Sequence, residues 1–127
     1  MASHFTLGKN ERLKSRKQID YLFAKGQRMV VPPFRITYIL RNGVDKNTAL
    51  KFGVGASTRS FKKAVDRNRI KRLTREAWRL QKNELKQQLL EQNRELDVFF
   101  IYIGKELPDF NEVSAQVKAA IKKLMSK

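Results

Sequence analysis

Arginine and lysine side chains are concentrated in one short segment, residues 66–80, which reads DRNRIKRLTREAWRL. Its cations are Arg67, Arg69, Lys71, Arg72, Arg75 and Arg79. Guanidinium groups bind phosphate oxygens with two parallel hydrogen bonds and also stack on bases. Within the segment only Asp66 and Glu76 oppose this charge. The chemistry that the segment predicts is therefore the binding of a polyanion.

The apolar residues of the same segment predict an amphipathic helix. At about 100° per residue, the expected core face consists of Ile70, Leu73, Ala77 and Leu80. The opposite arc consists of Arg67, Lys71, Arg72, Arg75, Arg79 and Lys82, with Arg69 near its border. A solvated helix face usually mixes signs, because opposite charges four residues apart stabilise a helix. The nearly single-signed arc therefore favours contact with nucleic acid.

Trp78 falls among the basic residues on this wheel. Its indole can pack against another element or offer a stacking surface, and packing is the preferred interpretation. Beyond Gln81 the leucines point in another direction, which predicts a kink or a second helical piece near residues 82–84.

The composition supports a nucleic-acid partner for the whole chain. The 127 residues carry a formal net charge of +16 and are enough for one domain. A membrane surface is the rival partner, but no apolar run approaches the roughly 20 residues of a membrane span, and residues 1–15 lack a signal-peptide core. The absence of cysteine fits a reducing compartment. We therefore expect a cytoplasmic protein that does not associate with membranes.

The sequence lacks the residue patterns by which a protein itself catalyses phosphoryl transfer. The 12 acidic residues are scattered, and His4 is the only histidine. Phosphoryl chemistry on protein-held metal needs clustered carboxylates, and a phosphate loop needs a glycine-rich run before Lys-Ser/Thr. The sequence therefore predicts no catalytic side chain and no metal ligand in the protein.

The elements that position the basic helix follow from periodicity. Residues 1–14 form a basic arm, which we expect to be ordered only where Phe5 or Leu7 finds a groove. Ser15 and Gln18 form a capping-box pattern that predicts a first helix over 16–25, with Gly26 as a plausible C′ residue.

Two alternating segments predict strands. One face of the first carries Phe34, Ile36, Tyr38 and Leu40, and one face of the second carries Leu50, Phe52, Val54 and Ala56. We expect these two strands to pair as an antiparallel hairpin with a long loop. The prolines of VVPPF exclude helix just before the first strand.

The remaining elements follow in the second half of the chain. The long basic helix is expected to start between Ser60 and Asp66, and the apolar segment 97–104 predicts a strand covered on both faces. Asp109 is the expected N-cap of a closing helix whose apolar stripe is Val113, Val117, Ala120, Ile121 and Leu124. The order helix, strand, strand, long helix, strand, helix predicts a single-domain α+β fold built as an α/β sandwich over residues 1–127.

The segment AVDRNRIKRLTREAWRL resembles the signature of the bacterial ribonuclease P protein subunit. The flanking segments RLKSRKQIDYLFAKG, FRITYIL, FGVGAS and LDVFFIYIGK resemble the family's first helix and its strands, so the likeness extends from Arg12 to Lys123. The family fold is ribosomal protein S5 domain 2-like, with a left-handed βαβ crossover. Right-handed crossovers are the general rule, so only the resemblance implies this handedness.

The resemblance implies a function in tRNA maturation. Members bind a large catalytic RNA, and the pair removes the 5′ leader from precursor tRNA. The RNA and substrate hold the Mg²⁺ ions and do the chemistry, while the protein helps to bind the leader. The implied partners are therefore the ribonuclease P RNA and precursor tRNA, with no obligate protein partner.

The resemblance also implies roles for individual residues. Contacts to RNA fall on Arg67, Asn68, Arg69, Lys71, Arg72 and Arg75. The family's Lys-Lys pair reads Thr58–Arg59 here, and Lys62 and Lys63 can compensate for the lost charge.

The implied leader-binding cleft contains Ile19, Phe23, Tyr38 and Lys51, where single-stranded leader stacks on aromatic rings. Ile19 stands where the family usually has an aromatic residue. Phe23 fits a core role equally well, whereas the hydroxyl of Tyr38 needs a polar neighbour and favours a functional role. Gly53 and Gly55 are explained either by a close backbone approach or by bulges.

Two other classes of nucleic-acid binder remain as alternatives. A structural rRNA-binding protein of the ribosomal type explains the charge, the size and the fold, but not the signature. A basic-helix DNA binder would need a dimerisation element and base-reading side chains, and Asn68 is nearly alone in that role on the basic arc.

Overall fold

The computed structural model describes residues 12–13, 15–43 and 49–127. Its elements are α1 (Arg16–Lys25), β1 (Gln27–Val31), β2 (Phe34–Asn42), β3 (Leu50–Ala56), α2 (Ala64–Gln81), α3 (Asn83–Glu91), β4 (Arg94–Tyr102) and α4 (Phe110–Met125). The mixed α+β order confirms the predicted sequence of elements and adds β1 and α3 to it. The residues of the predicted arm before Arg12, including His4, Phe5 and Leu7, lie outside the described residues.

The sheet has the order β1-β2-β4-β3, so the predicted hairpin of β2 with β3 is wrong. β4 lies between them, antiparallel to β2 and parallel to β3. The long connection between β2 and β3 does not impose pairing as a tight turn does. β4 is apolar on both faces and gains most from a central position.

The parallel pair β3–β4 is connected through α2 and α3, which makes a βαβ unit. The prediction of a kink or a second helical piece near residues 82–84 is confirmed as a second helix, because α2 ends at Gln81 and α3 starts at Asn83.

Strand β1 is an element that the sequence analysis missed. It pairs with β2 in antiparallel register from Gln27↔Tyr38 to Val31↔Phe34, and Pro32 and Pro33 form the connection. The two prolines correctly excluded helix, but they also obscured a short strand that ends just before them. β1 lies at the edge of the sheet.

The two faces of the sheet are covered by different helices. The inner face carries Phe34, Ile36, Val98 and Phe100, which belong to the hydrophobic core together with side chains of α2, α3 and α4. Side chains alternate along a strand, so Thr37 and Phe99 point to the other, outer face. There α1 contacts β2 and β4.

Local signals at the helix ends predicted α1 and α4 correctly. Ser15 Oγ accepts from the backbone N–H of Gln18 at 3.5 Å, and Asp109 Oδ1 accepts from that of Glu112 at 2.8 Å. Gly26 follows α1 in an extended conformation, with φ of −73°, rather than in the left-handed one. All members of the predicted apolar stripe of α4 are buried.

The buried face of α2 is rotated relative to the predicted core face. Ile70 and Ala77 are buried as expected, but Leu80 is exposed, and the other buried residues are Thr74 and Trp78. Thr74 is tolerated there because its hydroxyl donates to the carbonyl of Ile70 at 2.8 Å. Trp78 stacks on Phe52 with ring centroids 4.4 Å apart, which confirms the packing interpretation.

Candidate nucleic-acid interface

The solvent-facing side of α2 carries a cluster of cations that no described acidic residue pairs with. We call this surface the α2 basic face, and it consists of the cations Arg69, Lys71, Arg72 and Arg75 together with the neutral Asn68. All are exposed except Lys71, which is partly buried. Within the described part of the chain, none of its four cations lies in an ion pair. These charges therefore remain available for phosphate oxygens.

The predicted cationic arc is shorter in the folded protein than on the helical wheel. Arg79 makes an ion pair with Glu76, and the hydrogen bond from Arg79 lowers the pKa of Glu76. Lys82 is only 1% exposed at the junction of α2 and α3. The α2 basic face therefore ends at Arg75, over the first part of the helix.

Arg67 has a structural contact that the sequence analysis did not foresee. Its Nη1 donates to the carbonyls of Phe61 and Lys62, at 2.8 Å each. Phe61 is buried against Tyr102, which anchors the loop to the sheet. Arg67 therefore holds the loop that leads into α2, in addition to the RNA contact predicted for it.

The same loop presents the other predicted cations. Arg59, Lys62 and Lys63 are exposed. Lys63 is the N-cap residue of α2, so these side chains lie next to the helix end that carries the α2 basic face. The positive end of the helix dipole adds to the attraction for anions there.

A second feature is a pair of aromatic rings, Phe23 and Phe99, on the outer face of the sheet beside α1, and we call this part of the surface the aromatic groove. Phe23 contacts Phe99 edge to face, with ring centroids 5.2 Å apart, and both rings are partly buried. The ring of Phe23 thus packs on a neighbour and keeps some exposure, and the leader contact stays a prediction. Ile19 and Lys51 are also partly buried.

The glycines of β3 leave space for the Phe99 ring. A Cβ atom at Gly53 would lie 2.6 Å from that ring, whereas one at Gly55 would lie 3.4 Å from it. A close approach therefore explains Gly53, and it is by an aromatic side chain. Both glycines pair in a regular register with β4, so no bulge is present.

Tyr38 does not belong to this groove, which corrects the sequence prediction. It is 4% exposed and lies in the core on the inner face, with Phe34 and Ile36. Its hydroxyl finds the polar neighbour that it needs in Gln27, to whose Oε1 it donates at 3.0 Å. The alternation along β2 already grouped Tyr38 with the core residues.

Phe99 is the groove residue that the sequence analysis missed. It follows from the alternation along β4, where Phe99 and Ile101 are the apolar residues that face away from Phe100. Register pairing also places Arg28 and Arg35 of β1 and β2 on the outer face. Arg28 donates to the carbonyl of Phe23 at 3.4 Å.

No group of three or more histidine, cysteine, aspartate or glutamate side chains lies together in the described ranges. The carboxylates that are present are distributed among helix caps and ion pairs such as Arg41–Asp97. These residues do not fit a protein-held magnesium site.

No helix in the described part of the chain is both long and apolar enough to cross a membrane.

Comparison with known sequences gives a consistent result. The model of the Ribonuclease P family matches residues 7–125. The ribonuclease P protein component of Porphyromonas gingivalis is 37% identical over 118 residues, covering 92% of this chain and 85% of that protein. The corresponding component of Chlorobaculum tepidum is 28% identical, covering 94% and 83%.

Comparison with solved structures supports the fold. The RNase P protein of Staphylococcus aureus superposes with a TM-score of 0.68 at 18% sequence identity. The match covers 90% of this chain and 94% of the Staphylococcus aureus chain. The two proteins therefore share a fold over most of their lengths.

Proposed function

The chain belongs to the ribonuclease P protein family, and from this premise we propose that it binds the catalytic RNA of ribonuclease P and the 5′ leader of precursor tRNA. In this role it assists removal of the leader, which gives the mature 5′ end of the tRNA. We propose the cytoplasm as the place of this activity, since the chain contains no cysteine.

The α2 basic face is the observation that carries this proposal. It presents four cations from one rigid helix, unneutralised by described acidic residues, at the positions of the family signature. Contacts of this kind, to the shape and the phosphates, suit structured RNA. Protein side chains cannot read base edges in the deep major groove of an RNA helix. A ribosomal-type RNA binder is not favoured, because that alternative leaves the signature unexplained.

The groove between Phe23 and Phe99 is the proposed leader site. Partly buried rings can hold unpaired bases by stacking with little sequence preference. Lys51, Arg28 and Arg35 supply positive charge along the backbone of such a strand. Phe99 replaces Tyr38 in this proposal, because Tyr38 is buried on the other face of the sheet.

We assign the chemical step to the RNA subunit. Mg²⁺ would be held mainly by RNA and substrate, and it would activate the attacking water and stabilise the leaving oxygen. The described protein residues hold no cluster of carboxylates for that task. The protein contributes binding and positioning, which bring the leader and the catalytic RNA together.

The test is cleavage of a 5′-leader precursor tRNA by a cognate or related ribonuclease P RNA at low Mg²⁺, with and without the protein. We expect strong stimulation at the mature 5′ end and no cleavage by the protein alone. An absence of stimulation, with folded protein and RNA that is active at high Mg²⁺, would contradict the proposal and favour a general RNA binder.

A matched pair of variants makes the test specific for α2. Arg69→Ala/Arg72→Ala removes two cations from the α2 basic face, and Lys122→Ala/Lys123→Ala removes two exposed cations from α4. We expect the first variant to need more protein for half-maximal stimulation and the second to resemble the wild type. Equal behaviour would show that net charge, rather than this face, drives binding.

A further inference from the structure

A second groove lies on the other flank of α1. It has a volume of about 370 Å³ and is lined by Lys17, Gln18, Tyr21, Ile39, Arg41 and Asp97. On the wheel of α1, Leu22 points to the sheet, Phe23 lies about 100° to one side, and Tyr21 lies about 100° to the other. This groove is therefore distinct from the aromatic groove of Phe23 and Phe99.

A carboxylate that lines this groove, Asp97, has an unused hydrogen-bonding capacity. Asp97 is 7% exposed, and its Oδ2 accepts from Nη1 of Arg41 at 3.1 Å. Its Oδ1 is buried and has no hydrogen-bond partner in the described part of the chain. A buried acceptor without a donor is costly, so a ligand N–H that reaches this oxygen from the groove would be bound favourably.

The donor next to this carboxylate is the guanidinium of Arg41. Its Nη1 bonds Asp97 and its Nη2 bonds Glu95 at 3.4 Å, which leaves further N–H groups of its five. Burial alone would lower the pKa of Arg41, but hydrogen bonds and charge attraction from Asp97 and Glu95 outweigh it and raise that pKa. An acceptor and a permanent donor thus stand side by side.

The rim of the groove offers a surface for stacking and a charge for a phosphate. Tyr21 is 55% exposed, and its ring contacts no other aromatic ring among the described residues. Ile39 supplies an apolar wall, and the exposed Lys17 supplies an ammonium group. An aromatic platform, a cation and a hydrogen-bonding edge are the components of a site for an unpaired nucleotide.

We propose that this groove is a second nucleotide subsite, which binds one unpaired RNA nucleotide carrying adenine or cytosine. The exocyclic amine of either base donates to Asp97 Oδ1, and Arg41 donates to the adjacent ring nitrogen. Uracil has a carbonyl in place of the amine, so its lone pairs would face the carboxylate. The inference rests on the proposed function, and the nucleotide comes from the leader or from the RNA subunit.

The first experiment measures binding of fluorescent five-nucleotide RNAs, A₅, C₅ and U₅, to the free protein. We expect A₅ and C₅ to bind more tightly than U₅. Tyr21→Leu should weaken A₅ binding about fivefold or more, the scale of one base–aromatic stack. Tyr21→Phe, which keeps the ring, should bind like the wild type.

The edge contact is tested by Asp97→Asn, which should remove the preference for A₅ and C₅ over U₅. Because Asp97 is nearly buried, this variant can fail to fold, and circular dichroism checks that. The exposed position of Tyr21 keeps the test valid in that event. Chemical-shift changes on titration with A₅ should include the amides of Tyr21 and Ile39.

Holoenzyme measurements distinguish the two sources. If Tyr21→Leu weakens binding of precursor tRNA but not of mature tRNA, the nucleotide comes from the leader; if it weakens assembly with the RNA subunit, it comes from that RNA. Wild-type values for both affinities and for A₅ binding would overturn the subsite. Stimulation of cleavage by the wild-type protein tests the proposed function separately, so the two failures are distinguishable.

Discussion

At the scale of single residues, the partners of a cation decide which role it can take. Arg67 and Arg69 are neighbours in one signature, yet Arg67 donates to two backbone carbonyls whereas Arg69 is exposed. An exposed guanidinium can bind a phosphate without breaking a hydrogen bond that stabilises the fold. A guanidinium that ties a loop to a helix stabilises the protein first, and this difference separates the two arginines experimentally.

Arg67→Ala should lower the free energy of unfolding by about 1–3 kcal/mol, because it removes hydrogen bonds of a charged donor. Arg69→Ala should change that free energy by no more than about 0.5 kcal/mol, as surface substitutions usually do, while weakening RNA association by about 1–3 kcal/mol. Urea denaturation and RNA titration measure the two effects. Equal stability of the two variants would show that the loop contact of Arg67 contributes nothing.

Tyr102 gives a prediction about pH. Burial, followed by repulsion from Glu112 and Glu106, raises its pKa above the ordinary value of about 10. The folded state therefore retains the phenolic proton longer than the unfolded state, so this contribution is complete below pH 10 and is lost as the pH rises through the folded pKa.

The measurement compares the wild type with Tyr102→Phe by urea denaturation at neutral pH and above pH 10. At neutral pH we expect the variant to be less stable by about 0.5–1.5 kcal/mol, since the hydroxyl no longer donates to the carbonyl of Glu106. This difference should shrink above pH 10, because only the wild type loses the contribution of the buried hydroxyl. A constant difference would contradict the assignment.

At the scale of elements, each surface feature depends on how one element is packed. The stack of Trp78 on Phe52 holds α2 against β3, which turns its charged side to solvent. In the same way α1 lies across β2 and β4, so that Phe23 meets Phe99 on one of its flanks and the groove lined by Tyr21 opens on the other. Substitutions at these contacts should therefore change binding without touching the RNA-facing residues.

Gly53→Ala tests this relation for β3. The added methyl group would overlap the ring of Phe99, which must turn away and lose its edge contact with Phe23. We expect weaker binding of precursor tRNA, with little effect on mature tRNA, measured by fluorescence titration of the holoenzyme. Gly55→Ala is the matched control, since its methyl group meets the ring at an ordinary contact distance. Equal effects of the two substitutions would exclude Phe99 from the leader site.

At the scale of the whole molecule, the net charge of +16 opposes folding and favours binding. Like charges repel in the compact state, and counterions or RNA phosphates relieve that repulsion. In the described ranges few acidic groups are placed to neutralise the basic surface, and several of them pair with Arg41 or Arg79. The free protein thus carries an excess of positive charge, which phosphate groups of an RNA partner would offset.

The melting temperature of the free protein should therefore rise between 50 and 500 mM NaCl (concentrations that bracket a Debye length of about 10 Å). Over the same range its affinity for RNA should fall. Binding releases counterions from the RNA, and this release is less favourable into concentrated salt than into dilute salt. Differential scanning fluorimetry and RNA titration measure the two trends. Sodium sulfate at equal ionic strength is the control that separates screening from specific anion binding. A melting temperature that falls with added NaCl would contradict the argument.

Local patterns in the sequence predicted those features of the structure that are set by residues close together in the chain. The caps Ser15 and Asp109, the stripe of α4, the break after Gln81 and the basic side of α2 all depend on residues within a few positions of one another. Helix periodicity and capping act over that range, so they are visible in one dimension. The family signature is local as well, and the comparisons bear out the resemblance that it indicated.

The tertiary structure alone decided what depends on contacts between distant segments. β4 separates β2 from β3, and this order sets which face of each strand meets α1, since side chains alternate across the sheet. That arrangement brings Phe99 against Phe23 and closes the core over the face of β2 on which alternation had already placed Tyr38. The composition predicted a polyanionic partner, whereas long-range strand pairing and packing decided which side chains can meet it.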